Sequence, residues 1–224
     1  MPLVAQQFLL LVGKDLKIEA RSRQTIGLVI VLGLLIVVVL GLGLGGGPAA
    51  GFGATVVLWV AYLFSGVLCF EKTMAVERSE SALAALMLTP ISRGILYLAK
   101  LTSNLALMAA VALVITPAGV LFFSFDLSPA PFAFTAVMAL GILGFAAVGT
   151  LFAAIVSSTR LQGGLLAMVI FPVALPMVIA STQLLIHQFR DGLPVGGMGL
   201  GILVAFDAIF LTASWLMFEL VLEP

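Results

Sequence analysis

A chain that handles nucleoside phosphates needs a glycine-rich loop of backbone amides with a lysine behind it. The only Gly-Lys pair here, Gly13-Lys14, does not make one. The loop's earlier glycine would fall on Phe8, and Asp15 follows where Ser or Thr should hold a metal ion. Zinc-protease HExxH, CxxC and GxSxG nucleophile patterns are also missing, so no residue set here supports catalysis by this chain, and the chain is read as a non-enzyme. The lone cysteine, Cys69, excludes an intrachain disulfide framework or a thiolate metal cluster within one chain and reads as a small apolar filler. One carboxylate, Asp207, lies in the apolar stretch Ala205-Phe206-Asp207-Ala208. At the centre of a bilayer an unpaired acid costs about 2.5–3.5 kcal/mol on insertion scales, so it must face a cavity or a partner. It reads equally as a polar contact at a subunit interface or along a path, and as a hydrogen bond to a neighbouring helix.

The other place where residue types and spacing suggest work is the polar interruption from Phe70 to Lys100. Leu83, Leu86 and Met87 stand at i, i+3 and i+4, one face of a short helix. Glu77, Glu80 and Ser81 precede them, a placement that suits the positive end of a helix. Pro90 ends that helix, and Ser92 is expected to cap the next one. A short helix with an apolar knob and acidic shoulders fits a groove in a cytoplasmic protein. The competing occupant of that face, the lipid surface, favours an excess of basic residues, which the segment lacks.

The elements that hold this segment are membrane spans. Of all residues 62% are hydrophobic and 9% charged, against about a quarter charged in soluble domains. At roughly 20 residues per span, the chain has room for about six and almost nothing else. It therefore reads as a single unit, an all-α membrane protein. Spans are expected at about 25–44, 51–70, 97–123, 132–156, 165–186 and 200–220, with residues 71–96 as the elbow between the second and third. The fourth is rich in small residues, from Gly141 to Ala153, that permit close helix contact. Pro117 should kink the third span, and Pro172 and Pro176 should break or sharply bend the fifth. Residues 187–199 are rich in Gly and Pro and read as a loop, possible ground for a shallow re-entrant turn.

Residues 1–24 read as an amphipathic helix on the membrane surface. Ala5, Leu9, Val12, Leu16 and Ala20 share one face, and Lys14, Lys17, Arg21 and Arg23 can meet anionic headgroups. The run Phe8–Val12 is too short, and too poor in preceding basic residues, for a secretory signal. With the N-terminus in the cytoplasm, nine of the ten basic residues fall inside and only Arg190 outside. That bias puts both termini and the elbow in the cytoplasm. No basic domain face exists for nucleic acid.

The segment Ala82-Leu83-Ala84-Ala85-Leu86-Met87-Leu88-Thr89-Pro90-Ile91-Ser92-Arg93, with Glu77 before it and Leu98-Ala99-Lys100 after, resembles the cytoplasmic elbow of two-component ABC exporter permeases. Within that group the chain resembles the haem-exporter membrane subunit of the cytochrome c maturation system, the CcmB family. The run from Lys14 to Arg23, the Gly149-Thr150-Leu151-Phe152 segment before Arg160, and the Pro172/Pro176 span carry the likeness along the chain. The Ala-rich stretch from Ser81 to Ala85 departs from it where a glycine is expected.

The resemblance implies a coupling role for Glu77, Glu80, Leu83, Leu86, Met87 and Pro90. It also implies a dimer of this chain paired with two copies of a separate ATPase subunit, which binds the ATP. A haem-handling membrane protein, a small single-span subunit and a periplasmic haem chaperone complete the implied complex, in the bacterial inner membrane. Haem is then cargo of the complex, no cofactor is assigned to this chain, and transport of haem and ATP-driven release of the loaded chaperone both stay open. His187, expected at the periplasmic end of the fifth span, is the one candidate axial haem ligand, against the commoner reading of an interfacial histidine. Two other readings of function remain: an ABC permease for a lipid, glycan or antibiotic, and a non-transporting scaffold for haem-handling assembly factors.

Overall fold

In a bilayer every backbone N–H and C=O must find its partner within the protein, which leaves helices as the solution for apolar runs of this length. The computed structural model describes residues 2–22, 24–44, 48–79, 92–158 and 164–221, and these form seven helices. They are α1 (Pro2–Ser22), α2 (Gln24–Gly43), α3 (Pro48–Ser79), α4 (Arg93–Phe123), α5 (Pro131–Ser158), α6 (Leu165–Asp191) and α7 (Gly197–Val221). All but α1 are long and apolar enough to cross a membrane.

The helices α3 and α5 form the centre: 67% of each apolar window is buried, against 22% for α2 and α7 at the rim. Helix α5 touches α3, α4, α6 and α7, and small residues let it do so. Gly141 lies under the Trp59 indole, and Gly149 under the Phe70 ring. Phe70 in turn packs on Phe145, ring centres 5.2 Å apart. Tyr62, fully buried, shares a 2.6 Å hydrogen bond with Thr116. That bond joins α3 to α4 just before Pro117.

Several boundaries differ from those read off hydropathy. Helix α3 runs past the expected end at residue 70 to Ser79, and α4 begins at Arg93 instead of 97. Residues 71–79 and 93–96 of the expected elbow are therefore helical, and residues 80–91 lie outside the described residues. Ser92 stands at the N-cap of α4 with an extended backbone, yet its hydroxyl makes no capping bond. Its carbonyl instead accepts the N–H groups of Ile95 and Leu96. Helix α6 passes through Pro172 and Pro176 as one helix, without the expected break. Both prolines are exposed at the bundle surface, and within a span local adjustment of the helix re-satisfies the carbonyls that a proline frees. The same helix continues to Asp191, so the expected loop from 187 shrinks to the turn between Gly192 and Gly196. There is no room in it for a re-entrant segment. At the same end of the bundle, Ser124 closes α4 in the left-handed region (φ 49°). Asp126 then accepts the Ser128 N–H at 2.8 Å, making the turn into α5.

Candidate functional site

Polar side chains are costly in the spans, so where they gather matters. They gather at one end of the bundle, where α1 crosses the last turns of α3 and the first turns of α4. On α4, Lys100, Ser103 and Asn104 sit at i, i+3 and i+4 and are all buried. On α1, Asp15, Ile18 and Glu19 share one face and point at them. The Lys100 Nζ lies 2.7 Å from Asp15 Oδ2, and Lys14 Nζ lies 3.3 Å from Asp15 Oδ1. Lys100 is 4% exposed. A cation held that deep is tolerable only with its counter-charge, because desolvation otherwise removes several kcal/mol.

Beneath the ion pair runs a ladder of hydrogen bonds across three helices. The Thr73 hydroxyl of α3 donates to Asn104 Oδ1 at 3.2 Å, and Asn104 Nδ2 donates to Thr150 Oγ1 of α5 at 2.9 Å. Thr150 then donates to the Ala146 carbonyl at 2.7 Å. The walls of Asp15, Glu19, Thr73, Lys100, Ser103 and Asn104 enclose about 30 Å³. Roughly 10–15 Å³ is enough for one water. Cys69 is buried on α3 one helical turn from Thr73 of the chamber wall.

This arrangement relocates some of the residues singled out by sequence. Lys100, expected near the cytoplasmic start of the third span, is a buried residue facing Asp15. Of the four cations expected on the lipid surface, Lys17 and Arg21 are exposed. Lys14 is partly exposed and paired with Asp15, and Arg23 lies outside the described residues. The face of Ala5, Leu9 and Ala20 is exposed, while Leu11 and Glu19 are buried. Asp15 and Glu19 were not singled out by sequence reasoning. Their signal was two carboxylates at i, i+4 on α1 and a lone lysine inside an apolar span.

The elbow residues Glu80, Leu83, Leu86, Met87 and Pro90 lie outside the described residues, and Glu77 falls in the last turns of α3. That end of α3 and the start of α4 are the same end that α1 covers. Asp207 is 4% exposed on α7, facing Gly144 of α5 beside Phe206. Neither carboxylate oxygen has a hydrogen-bond partner among the described residues. His187 is exposed in the last turns of α6, its Nδ1 2.8 Å from Asp191 Oδ2. One ring nitrogen is thus engaged, and Nε2 is the only one left to ligate.

A second concavity of about 1060 Å³ opens between α4 and α5 towards the opposite end. Its walls are apolar apart from the hydroxyls of Thr116 and Thr135, and neither histidine nor charge lines it. It can hold an apolar body but offers no ligand for a metal centre other than the thioether of Met138.

Compared with known families, residues 6–219 match the model described as "CcmB protein". No curated protein matches the chain.

Proposed function

The chain belongs to the CcmB family, the haem-exporter membrane subunits of cytochrome c biogenesis, and from that membership we propose that it is the permease subunit of an ATP-driven complex in the bacterial inner membrane. ATP is bound and hydrolysed on a separate ABC subunit, present in two copies, and this chain forms a dimer between them. The elbow between α3 and α4 receives the stroke through Leu83, Leu86 and Met87, with Pro90 as its stop. Helix α1 lies at the cytoplasmic surface, where Lys17, Arg21 and Arg23 meet headgroups. The complex includes a haem-handling membrane protein and a small single-span subunit, and it serves a periplasmic haem chaperone.

The observation that carries this reading is the family match over almost the whole chain, on a six-span bundle whose charges gather at one end. The continuation of α3 beyond its apolar window, from Met74 to Ser79, supports an elbow that moves with the spans. A force applied there reaches rigid helices at once. Of the two candidate services, release of the loaded chaperone is favoured over passage of haem through this chain. The bundle's large concavity lies between α4 and α5, with no histidine among the described residues of its walls.

Leu83→Asp and Leu86→Asp test the coupling role. Each should abolish co-purification of an ABC ATPase from mild detergent while the chain still inserts in the membrane. Undiminished co-purification in both variants refutes it.

A further inference from the structure

Helix α1 is attached to the bundle in two different ways along its length. Its first half is held by apolar contact: Leu11 is in the core, with Phe8 and Val12 packed against it. Its second half is held through Asp15 and Glu19 over the polar chamber. Gly13 lies between the halves, and a Cβ added there would meet nothing beyond its own helix within 4 Å. A mid-helix glycine is a weak point in a helix.

The two attachments behave differently when the helix lifts. Peeling an apolar face exposes hydrocarbon to water. Opening the second half instead exchanges an ion pair for hydration of Asp15, Lys100, Ser103 and Asn104, so the open form is not heavily penalised. Leu9 and Leu10 are exposed on the outer side of the first half, 66% and 73%.

We propose that the second half of α1 is a charge-held latch: the Asp15–Lys100 pair closes it over the chamber, and its opening frees α4 at the foot of the Thr73–Asn104–Thr150 ladder. Asp15 and Lys100 are then positioning residues, and the rigid body that responds to the elbow includes α1 only while the pair is closed. The latch depends on neither the cargo nor the identity of the ATPase.

Cys69 is a built-in reporter, because it is the only cysteine of the chain and is buried on α3 one helical turn from Thr73 of the chamber wall. The experiment follows the initial rate of Cys69 modification by a small water-soluble thiosulfonate, using the full chain in native membranes. Losing one partner of a largely buried pair is expected to raise that rate about tenfold in Asp15→Asn. In a Lys100→Met background the same change should add less than about twofold, since the interaction is already gone. A wild-type rate for Asp15→Asn, or an equal increase in both backgrounds, overturns the latch. If Lys100→Met does not accumulate, Asp15→Glu takes its place. That variant keeps the charge and must label like the wild type, and labelling as fast as Asp15→Asn overturns the proposal.

Discussion

A methyl group added at Gly149 is the sharpest test of how the bundle centre is built. The new Cβ would meet three carbons of the Phe70 ring, the farthest of them at 2.8 Å. Ordinary carbon contacts stand at about 3.5–4.0 Å, so the ring or the α5 backbone must give way. The ring has little room to do so. Phe70 is fully buried and packed on Phe145, and Phe145 is itself fully buried over Gly66. Displacement therefore passes to the α3–α5 contact, and overpacking of this kind costs about 1–3 kcal/mol. For a chain of this size that corresponds to roughly 2–12 °C in melting temperature. Thermal unfolding of the purified protein in mild detergent measures it. Phe70→Leu should cost stability in the wild type through lost packing, and recover part of the loss in a Gly149→Ala background. A Gly149→Ala protein that melts within 1 °C of wild type, or strict additivity of the two substitutions, would refute the packing argument.

Two further outcomes follow from polar groups. At Asp207 the buried carboxylate has no hydrogen-bond partner among the described residues. Asp207→Asn should therefore leave the melting temperature of the isolated subunit unchanged or raise it, and a drop worth more than about 1 kcal/mol would reveal a favourable partner for the charge. At the α4–α5 turn, the Ser128 N–H holds the Asp126 carboxyl below its usual range. Because the folded value is depressed, the contribution to the turn is complete above the unfolded carboxylate value of about 3.9 and is lost as pH falls through the folded one. The Ser128 amide should keep its exchange protection down to about pH 4 and lose it below. Loss between pH 5 and 7 would contradict the assignment.

Helix α1 and the elbow divide between them what could be read in advance. The six spans follow from solvation alone, because in hydrocarbon a 20-residue apolar run has one way to satisfy its backbone, so composition and spacing suffice. The small residues of α5 were legible for the same reason: they are a local pattern. Helix lengths beyond the apolar windows were not legible, because Glu71 to Ser79 is polar yet helical, extending a helix already nucleated by the span. The prolines of α6 do not mark a break because in hydrocarbon the backbone has no solvent to turn to and the helix is its only shelter.

By itself the sequence determined the solvent and the number of helices long and apolar enough to cross it. Only the tertiary structure decided that Lys100 belongs inside and that Asp15 and Glu19 are its company. An ion pair between positions 15 and 100 depends on how α1 crosses α4. No periodicity along either helix encodes that crossing; it is set by how α1 packs on α4.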